Sequence, residues 1–202
     1  ERPRPESSEA PARCYDSRVK RVPTELPGLF VLEPAVLSDE RGSFEEVWRA
    51  DRFAALGLSA EFVQDNESVS RKGVLRGLHF QHPNGQVKLC RVVQGEVFDA
   101  VVDVRKGSPT FGKSFTTTLS AANHRELWIP AGFAHGFVAL SEEATFLYKV
   151  SAYWSPADER GIAWSDPALG IAWPISAPSL SAKDAAFAPL SALSHDALPA
   201  FK

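Results

Sequence analysis

The chain has 202 residues, enough to bury a real core, and its hydrophobic content of 44% is that of an ordinary globular protein. A formal net charge of −3 argues against broad binding to nucleic acid or membrane surfaces, and no run of about 18 apolar residues is present to span a membrane. Two cysteines, Cys14 and Cys90, do not make a disulfide framework: one falls in a tail-like segment and the other in a strand pattern.

Residues 1–18 are rich in Pro, Glu, Arg and Ser without apolar periodicity, which predicts a flexible arm ahead of a single domain over 19–202. From Lys20 onward, short apolar runs are punctuated by Pro and Gly. DRFAALGL, residues 51–58, predicts a brief helix capped by Asp51 and stopped at Gly57. Beyond it, apolar runs of four to eight residues alternate with turn residues almost to the end. That texture predicts an all-β sandwich or barrel with a few short helices, one of them a single turn at SAKDAAF.

Residues 73–107 place His79, Lys88 and Asp99 on three successive strands. Gln94-Gly95 reads as a two-residue hairpin turn, with Gly supplying a positive φ. That register would set Val92 against Val97, Cys90 against Asp99 and Lys88 against Val101. Lys88, Cys90, Asp99 and Val101 would then line one face. Taken alone, Lys88 and Asp99 read as a surface ion pair worth about 0–1 kcal/mol. In ATFLYKVSAYW, period-2 alternation puts Tyr148 and Trp154 on one face, and taken alone Tyr148 is better read as a core tyrosine bonded to a backbone carbonyl.

The run ELWIPAGFAHGFVAL contains Pro130-x-Gly132-x-x-His135, which resembles the second half of the cupin signature, where a tight turn delivers a His into a β-barrel. The earlier segment has His79 and His82 at a spacing that sends them to opposite strand faces. That is a poor start for convergent metal ligation.

Further motifs, DERGSFEE, FVQDNESVS, GVLRGLHFQ, GEVFDAVVDVRKGSPTFGK, LWIPAGFAHGF, LYK, SPADERGI and LSAKD, follow one another in order from about Val22 to about Asp184. In that order the chain resembles the dTDP-4-dehydrorhamnose 3,5-epimerases and related 4-keto-sugar epimerases. The resemblance implies a cupin jelly roll with no metal and no cofactor, working in the cytoplasm as a homodimer. The implied substrate is a dTDP-4-keto-6-deoxyhexose inverted at C3, C5 or both. It implies His79 as general base, Asp184 as its orienting partner, Tyr148 as opposite-face proton donor, and Lys88 near the C4 oxygen with Asp99 and His135 beside it. Arg41, Glu46, Gln64, Asn66, Arg76, Glu159 and Lys183 match substrate-binding or diphosphate-binding positions. Phe44 matches an aromatic that helps hold the nucleotide, and the Arg41 segment is expected to reach the neighbouring subunit's site.

The chemistry accounts for these residue types. A proton α to a ketone is removable only if the enolate oxygen is stabilised, which a fixed ammonium in a dry site supplies. Inversion needs a base on one face and an acid on the other, and His, which titrates near neutrality, suits the base. Arg76 suits a diphosphate because its fork holds phosphate oxygens in pairs. Asp184 also stands in Ser181-x-x-Asp184, a helix capping box by sequence alone. Trp154 departs from the family, which commonly carries Tyr at this position near the sugar. That change leaves open a 3- or 5-mono-epimerase or a ketoisomerase of another deoxysugar, and, from a different class, a non-catalytic sugar-nucleotide-binding cupin.

Overall fold

A computed structural model describes residues 19–201, so the expected arm over 1–18 lies outside the described residues. Numbered in chain order, six strands form one sheet: β1 (Lys20–Pro23), β2 (Phe30–Glu33), β10 (Glu126–Ile129), β7 (Lys88–Gln94), β12 (Glu143–Val150) and β5 (Gln64–Arg71). Five form the second: β13 (Glu159–Gly161), β6 (Leu75–Gln81), β11 (Phe133–Ala139), β8 (Glu96–Asp103) and β9 (Ser114–Ser120). A ribbon of β3 (Val36–Asp39) and β4 (Gly42–Glu45) pairs only within itself among the described residues. The two large sheets face each other as a jelly-roll sandwich, the all-β class expected.

The turn at Gly95 exists, with φ 75°, but it turns a corner between sheets and does not make a hairpin. Strand β7 pairs with β10 and β12, whereas β8 pairs with β11 and β9. The expected Val92–Val97, Cys90–Asp99 and Lys88–Val101 pairs are therefore not formed. A Cβ on Gly95 would meet the Glu143 carbonyl and Ser141 Oγ at 2.2 Å, so the corner is closed by a neighbouring strand. Alternation survives the error. Lys88, Cys90, Asp99 and Val101 are all buried toward the interior, from opposite sheets, and Lys88 with Asp99 is no surface pair.

Three apolar clusters explain why strands such as β8 and β11 read as nearly continuous hydrophobic runs. Leu127, Cys90, Phe146, Val97, Val101 and Phe137 fill the space between the sheets. Leu78, Phe80, Ala100 and Ala134 on the outside of the second sheet are covered by Ile162, Leu169, Leu190 and Leu198. Leu32, Leu89 and Trp128 on the outside of the first sheet are covered by Phe53, Leu58, Trp48 and Phe62. Each Val, Leu, Ile or Phe among them, when fully buried, contributes roughly 1.5–3 kcal/mol.

Phe53 belongs to α1 (Ala50–Ala55), whose N-cap is Arg49, not Asp51. Asp51 lies in the first turn instead, where its carboxylate accepts from the Arg49 guanidinium and the Arg52 N–H. A carboxylate is favourable there against the helix dipole, so the acidic start was legible but its position was off by two. Gly57, at φ 76°, ends the element as expected.

Strands β6 and β11 approach so closely that neither Gly77 nor Gly136 can carry a side chain. A Cβ on Gly136 would lie 2.6 Å from the Arg76 carbonyl and 3.1 Å from the Gly77 Cα. Outside the core, Glu126 is 1% exposed, and neither of its carboxylate oxygens has a hydrogen-bond partner among the described residues. Burial, opposed by Arg91 and Lys149 and reinforced by Glu45, pushes its pKa up to about 8.

Two outcomes are expected. Gly136→Ala should lower stability by about 1–3 kcal/mol, read from the denaturant midpoint, because two backbones must part; an unchanged midpoint would show that the strands can yield. Glu126 stays protonated when folded but ionises near pH 4.5 when unfolded, so its contribution is complete below that pH and is lost as pH rises toward 8. The Tm advantage of Glu126→Gln over the parent should therefore grow between about pH 5 and about pH 9, and a pH-independent difference would contradict it.

Candidate active site

The core cluster stops short of one end of the sandwich, where β12 and β5 stand opposite β13, β6 and β11. A cavity of about 770 Å³ opens there, within the size range of small-molecule sites. Eleven of the residues singled out from the sequence line it: Gln64, Asn66, Arg76, His79, Lys88, His135, Tyr148, Trp154, Glu159, Lys183 and Asp184. Asp99 lies directly behind His135. Arg41, Phe44 and Glu46 do not line the cavity: they belong to the β3–β4 ribbon and the residue after it. Arg41 bonds Asp39, and Glu46 meets Arg52 at 3.0 Å.

One wall comes from β6. His79 Nε2 meets Asp184 Oδ1 at 2.6 Å, and Nδ1 has no hydrogen-bond partner among the described residues. Asp184 is 4% exposed and is delivered by α2 (Ala182–Ala185), whose N-cap Ser181 accepts from the Asp184 N–H. The capping reading and the functional one are thus both fulfilled, the cap by the backbone of Asp184 and the His79 contact by its carboxylate. Burial raises the Asp184 pKa, but the hydrogen bond and charge of His79, with the Gly77 N–H, outweigh it and hold the carboxyl below its usual range. The ring of Phe187 stands edge-on to His79 at 5.6 Å. Gly161, paired with His79 across β13, leaves room for that ring, since a Cβ there would lie 2.3 Å from it.

The facing wall comes from β7 and β12. Lys88 is buried, and burial lowers its pKa, against the opposing charges of Cys90, Asp99 and Glu159. Asp99 Oδ2 meets His135 Nε2 at 2.9 Å, while Asp99 Oδ1 is buried without a hydrogen-bond partner among the described residues. The two are diagonal neighbours on adjacent strands, since His135 is paired with Val101 and Phe137 with Asp99. Tyr148 packs its ring on Phe146, and its hydroxyl bonds none of the described residues, so it is not a carbonyl-anchored core tyrosine. Burial, with the charges of Cys90 and Glu159 adding to it and Arg76 opposing, raises its pKa and keeps the phenol protonated.

At the mouth, Arg76 Nε donates to Ser70 Oγ at 3.0 Å, and Lys183 pairs with Glu159 at 2.7 Å. Trp154 is 54% exposed. It does not share a strand with Tyr148, because β12 ends at Val150 and the chain turns at Ser151. Among the lining residues that escaped the sequence reading are three polar ones, Gln81, Gln86 and Ser68. Gln81 could have been found, since alternation along β6 puts it on the face of His79.

The arrangement offers a carboxylate-oriented imidazole on one wall, and an ammonium and a neutral phenol on the other. The chain is similar to known proteins in both sequence and fold. The dTDP-4-dehydrorhamnose 3,5-epimerase of Salmonella typhimurium is 57% identical over 172 residues, covering 84% of this chain and 93% of its own. A crystal structure of dTDP-6-deoxy-D-glucose-3,5-epimerase from Legionella pneumophila in complex with dTDP-4-keto-L-rhamnose superposes with a TM-score of 0.88 at 46% identity, covering 91% of this chain and 99% of that one. A 3'-monoepimerase from Streptomyces bikiniensis in complex with dTDP-quinovose superposes at 0.83 with 37% identity, covering 89% and 92%. The profile of one family, dTDP-4-dehydrorhamnose 3,5-epimerase, matches residues 23–192, and the chain belongs to that family.

Proposed function

We propose that the protein epimerises a dTDP-4-keto-6-deoxyhexose at C3 and C5, as a cytoplasmic homodimer. The observation that carries this reading is His79 on one sheet, paired with Asp184 of α2, facing on the other sheet a protonated Tyr148 whose hydroxyl bonds none of the described residues.

In this mechanism His79 Nδ1 takes the proton from the carbon next to the C4 ketone. The C–H electron pair moves into a carbon–carbon double bond, and the carbonyl pair moves onto the C4 oxygen as an enolate. Lys88 stabilises that oxygen, the more strongly because its ammonium is already desolvated. Collapse of the enolate takes a proton from the Tyr148 hydroxyl on the opposite face; solvent then restores the phenol and takes the proton from the His79 imidazolium. Asp184 holds the His79 tautomer and favours the imidazolium. Asp99, held by His135, supplies buried negative charge that favours the Lys88 ammonium. Arg76 and Lys183 bind the diphosphate; Gln64, Asn66, Glu159 and Trp154 contact the sugar nucleotide.

The homodimer gives Arg41, Phe44 and Glu46 a role. Among the described residues the β3–β4 ribbon pairs only with itself, and its Phe44 is 61% exposed. In this reading the ribbon crosses to a second copy and covers that copy's cavity, with Phe44 against the nucleotide.

Proton NMR of dTDP-4-keto-6-deoxyglucose in heavy water tests the function. Deuterium entering both C3 and C5 is expected; deuterium at one carbon would make the protein a mono-epimerase, and none would contradict the reading. His79→Ala should slow exchange at every epimerised carbon by roughly 10²–10⁴-fold, and full exchange would remove the base assignment. Lys88→Met should lower kcat/KM by roughly 10²–10³-fold while raising Tm near neutral pH, because a desolvated ammonium leaves the interior. Loss of both activity and stability would instead make Lys88 structural.

A further inference from the structure

Segment 152–155 carries Trp154 across the cavity mouth without belonging to any strand. Exposed irregular backbone of this kind is ordinarily held by water, yet three glutamine side chains hold this one. Gln81, 4% exposed, donates through Nε2 to the Tyr153 carbonyl at 3.3 Å and the Asn84 carbonyl at 3.0 Å, and its Oε1 accepts from the Ser155 N–H at 2.8 Å. Gln64 Oε1 accepts from the Trp154 N–H at 3.0 Å, and Gln86 Nε2 donates to the Ala152 carbonyl at 2.8 Å. The three come from β5, from β6 and from the chain just before β7, so the segment is held from different sides. All three line the cavity.

Gln81 occupies the centre. It brackets Trp154, with one bond to the residue before it and one to the residue after. It is also two residues from His79 on the same strand face, so the spacing between the base and the Trp154 segment passes through its carboxamide. Only a carboxamide offers two donors and an acceptor at this reach. We infer that Gln81 is a positioning residue for the reaction: with Gln64 and Gln86 it clamps residues 152–155 and fixes the Trp154 indole where the bound sugar nucleotide packs against it. The inference rests on the sugar-nucleotide reading above and adds the device that sets one wall of that site.

Gln81→Glu tests it, since it keeps the acceptor for Ser155 and loses both donors. KM for dTDP-4-keto-6-deoxyglucose should rise by about tenfold with kcat within about threefold, the pattern of lost uniform binding. In a Trp154→Ala background the same change should add less than about twofold, because the clamp acts through the indole. Independently of turnover, the emission of Trp154, obtained by difference against Trp154→Phe, should become about twice as quenchable by acrylamide in Gln81→Glu, as expected for a released segment. A tenfold KM penalty that persists without the indole, or wild-type KM and quenching, would overturn the inference. Should Gln81→Glu fail to fold, Gln86→Leu loses only the bond to Ala152 and is read in the same way, with about a threefold rise in KM. A wild-type protein inert toward the sugar nucleotide would instead overturn the functional reading, and the quenching comparison would still decide the clamp.

Discussion

Two sheets packed face to face give every inward side chain an opposite wall, and the site depends on that constraint. Epimerisation needs a proton taken from one face of a planar carbon and returned to the other. In this sandwich the proposed base and the proposed acid are separated by architecture: His79 belongs to β6 and Tyr148 to β12, strands of different sheets. Each sheet is also covered on its outer face, by residues 162–198 on one and by α1 with its flanks on the other. The strands are therefore rigid on both sides, and Gly136 and Gly77 lock β6 to β11 at the backbone. A site carried by such strands is held more tightly than one carried by loops.

The electrostatic arrangement is unfavourable for folding and suited to the reaction. Lys88, Asp99 and His135 are all less than 9% exposed, and one oxygen of Asp99 is left without a hydrogen-bond partner among the described residues. Desolvation on this scale costs stability, and partners cancel only part of it. An enolate at the C4 oxygen would complete the set, bringing negative charge to a waiting ammonium in a medium of low dielectric. The phenol is kept neutral by the same burial, so it can give a proton and not merely accept a hydrogen bond.

The strand content, the Pro130–Gly132 turn that delivers His135 and the short helix at Asp184 were legible locally, from alternation and turn chemistry. The His79–Asp184 contact was not: 105 residues separate the pair, and only the ordered motifs joined them. The hairpin at Gln94-Gly95 misled for a physical reason. A glycine at positive φ serves a sheet corner as well as a two-residue turn, and two strands buried on both faces carry no sign of which sheet they join. Trp154 was placed on the strand of Tyr148 because period-2 reading has no stop signal at Val150, yet the chain turns and still brings the indole to the cavity. Arg41, Phe44 and Glu46 fall outside the cavity, on a ribbon whose position relative to it no local pattern reveals.

The central claim is that proton removal and proton return come from opposite walls. The most direct measurement compares, in heavy water, deuterium entry into the sugar with its inversion for Tyr148→Phe. The account predicts that exchange by His79 continues while inversion falls by roughly 10²-fold or more at one centre at least. Exchange and inversion lost in equal proportion, or both retained, would contradict an acid on the wall facing the base.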